Sequence, residues 1–194
     1  MVRRSKEEKA KSRQDIIAAA ATLFRERGIE NTSVADVMKE AGFTHGGFYR
    51  HFSNKEELAA AAITEAFSSG LRVFSGDAEN PEIEALSYVD KYLSDEHIDT
   101  AGDGCPIQLL GSEAARGADI WQSAIIEGAT SAINGLALGL QGNDREATKL
   151  LALLVGTVVL ARSVGRGPLR DEILKVGRDA AKSLLGGKGS GPDS

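Results

Sequence analysis

The sequence predicts an all-α protein. Of its 194 residues, 42% are hydrophobic and only 5% aromatic, and most of the apolar residues are Ala and Leu, which favour helices. Three of its four prolines, at 81, 106 and 168, leave long stretches open to helix formation. No run of β-branched residues alternates with polar ones as a half-buried strand requires.

Apolar residues recur at helical spacing along the whole chain, between breaks rich in Gly, Pro, Asn and Asp. The spacing predicts helices over residues 12–27, 34–41, 45–51, 53–75, 82–93, 105–116, 118–140, 145–165 and 170–185. We expect a loose arm over 1–11 and a solvated acidic loop over 94–104. A metal site in that loop is the weaker alternative, because its acidic residues do not follow the spacing of a calcium loop.

Residues 33–52 predict two short helices joined by a tight turn. Ser33 and Asp36 fit a capping box, in which each side chain accepts a hydrogen bond from the other residue's backbone N–H. Gly42 follows the apolar stripe and suits the left-handed conformation that ends a helix. Thr44 is expected to cap the second helix, which Phe48 and Phe52 anchor, and a Ser53–Glu56 box is expected to open the next.

Two helices joined in this way form a helix-turn-helix, which places its second helix in the major groove of DNA. The buried anchors leave His45, Gly46, Tyr49 and Arg50 facing outward. A small helical corner with no DNA role fits the same pattern. The adjacent Gly46 and Gly47 disfavour a stable α-helix and allow a close approach of the backbone to a groove.

The motif from Ala41 through Phe52 to Leu58 resembles the signature of the TetR family of transcriptional regulators, with further matches upstream at Ile16, Phe24 and Gly28. The resemblance covers about residues 12–60, and a Gly-Cys-Pro and Gly-Ser-Glu segment near residue 104 adds to it. It implies a dimeric protein that binds a DNA operator and is released by a small-molecule effector.

The resemblance also implies phosphate contacts at Tyr49, His51 and Lys55 and at the helix starts of Ser33 and Thr44. Base reading is then expected of His45, Gly46, Gly47 and the Tyr49 ring. For Arg50 a base contact, a phosphate contact and a solvated side chain are the alternatives.

The charge distribution agrees with this implication. The chain has a net charge of −5, yet residues 1–55 hold 11 basic and 7 acidic residues, a net charge of +4. Because phosphate neutralisation is local, a basic segment within an acidic chain is compatible with DNA binding. A chance imbalance of a few charges is the alternative.

We predict a helix-turn-helix DNA-binding domain at 1–58, a helical effector-binding and dimerisation domain at 59–185, and a disordered tail at 186–194. The helix at 145–165 is apolar nearly all round and needs cover on every side. The resemblance implies a two-fold four-helix bundle, for which the helices at 118–140 and 145–165 are the candidates; a central helix of a monomer is the alternative.

An effector pocket is expected among the helices at 53–75, 82–93, 105–116 and 118–140. Its mainly apolar lining favours a hydrophobic or aromatic effector, although the same residues suit an ordinary core. The candidate lining residues are Phe67, Leu71, Phe74, Tyr88, Tyr92, Ile107, Leu110, Trp121 and Ile125.

Cys105 opens a helix, where a thiol can become reactive, so a regulator that senses electrophiles or oxidants is an alternative to an inert cysteine. We expect no metal site, no cofactor and no enzyme, because the three histidines and the single cysteine form no catalytic or ligand set. A ligand-binding module with an idle N-terminal segment is a further alternative. The charged N-terminus and an apolar run of only about 12 residues predict a cytoplasmic protein. The resemblance implies a repressor, and an activator is the alternative.

Overall fold

The computed structural model describes residues 6–69 and 80–187, and within these ranges the chain contains helices and no strand, which confirms the all-α prediction. The helices are α1 (Lys6–Arg27), α2 (Val34–Glu40), a first 3-10 helix (His45–Arg50), α3 (Lys55–Ser69), α4 (Pro81–Tyr92), α5 (Asp95–Asp99), a second 3-10 helix (Ala101–Asp103), α6 (Pro106–Ala114), α7 (Asp119–Leu138), α8 (Asp144–Val164) and α9 (Pro168–Gly186).

Side-chain caps and prolines fix where several helices begin. Asn80 and Asn143 each accept a backbone N–H from the first turn of α4 and α8, at 3.2 Å. Proline occupies the first turn of α4, α6 and α9, where its missing N–H is not needed.

The described residues divide into two compact units. Residues 6–69 and 101–128 form the first, and residues 80–100 and 129–187 form the second. The predicted boundary at 58/59 lies inside α3, and the division into a DNA-binding and an effector-binding domain stays a prediction. Of the predicted tail at 186–194, Gly186 is the last residue of α9, and residues 188–194 lie outside the described residues.

The core of the first unit joins α1, α2, α3, α6 and the first half of α7. Ile16, Phe24, Leu58 and Leu110 are fully buried in it. A Cβ at Gly128 would lie 2.1 Å from the Phe67 ring, so only glycine at this point of α7 lets that ring cross the helix.

In the second unit, α8 packs along α9, and α4 and α5 lie against them. The approach of α8 to α9 is close, because a Cβ at Gly177 would lie 2.4 Å from Cγ2 of Thr157. Arg170 is buried and donates to Asp95 at 2.6 Å and to Asp99 at 2.7 Å, which ties α9 to α5.

Two predicted loops contain helix instead. The first helix begins at Lys6 rather than at residue 12, so 6–11 are not a loose arm. The predicted loop at 94–104 contains α5, which Ser94 caps, and the second 3-10 helix. Both Asp95 and Asp99 pair with arginine there, so they are not simply solvated.

By length and composition alone, α8 could cross a membrane. The continuous apolar run within this helix, which is only about 12 residues long, did not predict such a span. One face of α8 is buried within the second unit, with Leu150, Leu154 and Val158 fully covered. A core helix of a soluble protein has these same properties.

Candidate nucleic-acid interface

Helix α2 begins with the predicted capping box. The Ser33 hydroxyl accepts the N–H of Asp36 at 3.1 Å, and the Asp36 carboxylate accepts the N–H of Ser33 at 3.0 Å. Hydrogen bonds from the Ser33 side chain and backbone hold the pKa of Asp36 below its ordinary value. The start of α2 is therefore fixed by local interactions that can be read from the sequence.

The turn after α2 reverses the chain through Gly42, whose φ is +77°. The N–H of Phe43 donates to the carbonyl of Met38 at 2.8 Å, which closes the end of the helix. Val37 and Met38 are buried beneath this turn. The position predicted for Gly42 is confirmed.

The second helix of the motif is a 3-10 helix over His45–Arg50, not the predicted α-helix over 45–51. Two adjacent glycines account for the difference, since each costs about 1 kcal/mol in an α-helix relative to alanine. Thr44 precedes this helix, but its side chain makes no capping hydrogen bond, contrary to our prediction.

Buried aromatic side chains anchor this 3-10 helix. Phe48 and Phe52 are both buried, and their rings stack at 5.7 Å between centroids. The guanidinium of Arg13 lies 4.5 Å from the centre of the Phe52 ring and 3.5 Å from the Glu57 carboxylate. The anchors therefore join the helix-turn-helix to α1 and α3.

Fixed on these anchors, the motif presents one polar surface. Tyr49 is 72% exposed, and its ring meets Phe48 edge-on at 5.2 Å. The remaining predicted DNA contacts are exposed or half-buried, and they comprise Ser33, Thr44, His45, Gly46, Gly47, Arg50, His51 and Lys55. A role in DNA contact stays a prediction for each of them.

The start of α3 differs by one residue from the predicted Ser53–Glu56 box. Asn54 accepts the N–H of Glu57 at 2.8 Å, and the Glu57 carboxylate accepts the N–H of Ser53 at 2.8 Å. Hydrogen bonds from Ser53, chiefly from its backbone N–H, and from Arg13 hold the pKa of the Glu57 carboxyl below its ordinary value. Lys55 follows this cap, and its ammonium donates to the carbonyl of Glu30 at 3.5 Å.

The candidate effector residues occupy both units. Leu110 and Trp121 belong to the first unit's core, with Phe67 and Ile125 packed against it. Ile107 is half-buried on α6. In the second unit, the ring centroids of Tyr88 and Tyr92 lie 5.6 Å apart, and those of Tyr92 and His97 lie 4.7 Å apart. Leu71 and Phe74 lie outside the described residues.

Cys105 precedes α6, with Pro106 in the first turn as predicted, and is half-buried. Arg25 is buried nearby and donates to the carbonyl of Gly104 at 3.5 Å. Burial lowers the pKa of Arg25, whereas attraction to Asp103 and to Cys105 raises it. Cys105 therefore directly follows a residue whose carbonyl accepts a hydrogen bond from a buried guanidinium.

The geometry of residues 33–52, with a capped helix, a Gly-containing turn and a second anchored helix, is that of a helix-turn-helix protein. Residues 16–62 match the sequence model of the bacterial regulatory proteins of the tetR family. The segment at 16–62, which contains the helix-turn-helix, is therefore a DNA-binding segment of the TetR type.

Two curated relatives show how far the sequence similarity extends. An uncharacterized HTH-type transcriptional regulator, YfiR of Bacillus subtilis (strain 168), is 37% identical over 107 residues, covering 54% of this chain and 52% of that protein. The HTH-type transcriptional regulator TtgR of Pseudomonas putida is 37% identical over 93 residues, covering 48% of this chain and 44% of that protein. The chain thus matches about half the length of these relatives.

Solved structures share the fold over most of the chain. The reduced form of E. coli NemR superposes with a TM-score of 0.73 at 20% identity, covering 89% of this chain and 96% of that one. A TetR-family regulator from Agrobacterium tumefaciens gives a TM-score of 0.71 at 19% identity, covering 89% and 98%. At this identity the likeness concerns the fold alone.

Proposed function

We propose that the protein is a DNA-binding transcriptional regulator, and specifically a cytoplasmic repressor that a small, mainly hydrophobic effector releases from a palindromic operator. The observation that carries the proposal is the anchored 3-10 helix, which exposes Tyr49 and Arg50 above buried Phe48. The match of residues 16–62 to a family of bacterial regulatory proteins supports the same conclusion.

DNA would be bound by the predicted contact residues in two ways. Tyr49, His51, Lys55 and the helix starts at Ser33 and Thr44 would contact phosphates, which set position and orientation. Residues 45–47 would face base edges, with Arg50 beside them. Because Gly46 and Gly47 carry no side-chain donors, part of the specificity would come from the shape of the DNA.

The proposed homodimer buries exposed apolar side chains of the long helices. Val159, Leu160 and Val164 are exposed along α8, and Leu169 and Val176 are exposed along α9. Ile120, Ile126 and Leu138 are exposed along α7. Apolar side chains exposed in this way favour burial against a second copy. Both α8 with α9 and the predicted pair at 118–140 and 145–165 are therefore candidate interfaces.

A two-fold dimer presents two reading segments, which must lie about 34–36 Å apart to enter successive major grooves. The operator would therefore be a palindrome. An effector that binds more tightly to a dimer with a different spacing would lower operator affinity, since only differential binding shifts an equilibrium. The candidates within the first unit, which are Phe67, Leu110, Trp121 and Ile125, are the proposed lining of its site.

Selection from a library of random duplexes by the purified protein tests this function. We expect an enriched palindrome whose half-sites are one helical turn apart, with an affinity that falls steeply as salt rises. Enrichment of no sequence at any salt concentration would contradict the proposal.

The position of Cys105 at the start of α6, next to the Gly104 carbonyl that accepts a hydrogen bond from buried Arg25, favours a second candidate, in which the regulator responds to electrophiles or oxidants through the thiol. In that case an alkylating agent would release the parent protein from the selected duplex and leave Cys105→Ser bound. Equal release of both proteins would rule out this mode of control.

A further inference from the structure

The corner between α6 and α7, residues 113–121, hydrogen-bonds to the backbone on both sides of the helix-turn-helix. The Glu113 carboxylate accepts the N–H of Ile29 at 2.8 Å and the N–H of Glu30 at 3.2 Å. At the other side, the indole N–H of Trp121 donates to the carbonyl of Glu56 at 3.0 Å. One corner therefore holds the segment before α2 and the first turn of α3.

Glycine makes room for both of these side chains. Gly28 ends α1 with a φ of +85°, and a Cβ there would lie 2.9 Å from a carboxylate oxygen of Glu113. At the corner itself, a Cβ on Gly117 would lie 2.2 Å from the Trp121 ring. A side chain at either position would displace one of the two contacts.

The contacts reach the residues that the proposed function places on DNA. Glu30, whose N–H Glu113 accepts, also receives the ammonium of Lys55 on its carbonyl oxygen. The indole N–H of Trp121 donates to the carbonyl of Glu56, the residue that follows Lys55. A carboxylate that accepts two backbone N–H groups makes strong, directional bonds, so a shift of the corner would move the turn with it.

We infer that Glu113 and Trp121 are positioning residues, which hold the helix-turn-helix in the arrangement that binds the operator. Neither residue belongs to the 3-10 helix that is proposed to read DNA. Glu113 therefore acts through the turn at 28–30, and Trp121 acts through the start of α3. The inference rests on the proposed function.

The first test compares Glu113→Ala with Glu127→Ala, which removes an equal charge from an exposed position on α7. Loss of a negative charge alone strengthens binding to DNA, so weaker binding must come from geometry. We expect the affinity of Glu113→Ala for the selected duplex to fall about tenfold, with that of Glu127→Ala unchanged or slightly higher. An affinity for Glu113→Ala equal to that of Glu127→Ala would overturn the inference.

Two milder variants keep the test decisive if Glu113→Ala fails to fold. Glu113→Gln retains one acceptor oxygen and should recover part of the affinity. Trp121→Phe retains a buried aromatic ring but loses the indole N–H, and it should weaken binding without unfolding the core. Parental affinity in both folded variants would also overturn the inference.

Amide hydrogen exchange at Ile29 and Glu30 separates this inference from the proposed function. We expect exchange at these two amides to become at least about tenfold faster in Glu113→Ala, while the Gly28 amide, bonded to the carbonyl of Phe24, stays protected. If the parent protein binds no duplex, the proposed function fails. Unchanged exchange at Ile29 and Glu30 would overturn the positioning role whether or not DNA binds.

Discussion

Gly46 and Gly47 give the proposed reading segment its form. Gly46 has no atom within 4 Å of a Cβ built on it, so the structure of the protein itself has room for a side chain there. The absence of a side chain at Gly46 would allow a groove of DNA to approach the backbone closely in the bound state. The sequence indicated the close approach, but not that the segment would wind as a 3-10 helix.

Replacing Gly46 by alanine tests that approach. Alanine fits the helical backbone, so we expect the free energy of unfolding to be unchanged or to rise by up to about 1 kcal/mol. Affinity for the selected duplex should fall about tenfold, because the methyl group would hold the backbone away from the groove. The measurements are chemical denaturation and a binding titration.

Gly111→Ala is the matched control, since it is also helical with open space around a built Cβ. It should show the same small effect on stability and no loss of DNA affinity. An equal affinity for the two variants would mean that Gly46 does not lie against DNA.

At the scale of elements, α5 and α9 are joined by an ion-pair network that the sequence did not reveal. Arg166 and Arg170 both donate to Asp99, at 2.6 Å and 2.7 Å, yet Arg170 has a side chain only 4% exposed and Arg166 one that is 82% exposed. Because Arg170 is buried, its ion pair with Asp99 is costly to break. The ion pair of Arg166 with Asp99 is screened by solvent, because Arg166 is exposed.

This difference predicts unequal effects on stability. Arg170→Ala should lower the free energy of unfolding by about 2 kcal/mol, because two carboxylates lose a partner that also fills the core. Arg166→Ala should change it by less than about 1 kcal/mol. Urea titrations of both variants check this, and equal losses would show that burial of Arg170 has no energetic role.

The same network predicts a dependence of stability on acid. Hydrogen bonds from Arg170 and then Arg166 hold the pKa of Asp99 below its ordinary value, which is about 3.9 in an unfolded chain. As the pH falls below that value, the unfolded chain takes up a proton first, and stability is lost until the folded pKa is passed. In the parent protein, stability should therefore fall more steeply below about pH 4 than in Asp99→Asn. Parallel curves would contradict this assignment.

Sequence patterns located the elements better than their contacts. A capping box, Gly42 and Pro106 placed α2, its turn and the start of α6, because those signals act within a few residues. The helical form of 95–99 and the contact of Glu113 with Ile29 depend on partners about 70 and 84 residues away in the chain. Ser94, which caps α5, is a local signal for this helix that our prediction from the sequence did not use.

At the scale of the whole molecule, a palindromic operator would require two copies of the chain. Leu150, Leu154 and Leu174 are buried within the second unit, whereas Val159 and Leu160 on α8 and Val176 on α9 are exposed. A dimer would cover these exposed side chains, whereas a monomer would leave them in water.

Charge substitutions distinguish the two proposed interfaces. Val176 on α9 and Leu138 on α7 are both about half exposed, at 56% and 52%. If α8 and α9 form the interface, Val176→Glu should give a monomer and Leu138→Glu should stay dimeric, because a buried unpaired carboxylate is not tolerated. Sedimentation equilibrium measures both. The reverse result would restore the pair at 118–140 and 145–165.

The most direct test of the central claim is the affinity of the parent protein and of Tyr49→Ala for the selected duplex, measured over a range of salt concentrations. Ile83→Ala, which removes a similarly exposed side chain from α4, is the control. We predict about tenfold weaker binding for Tyr49→Ala with its fold retained, and parental binding for Ile83→Ala. Equal binding by all three proteins at every salt concentration would contradict the claim that the 3-10 helix reads DNA.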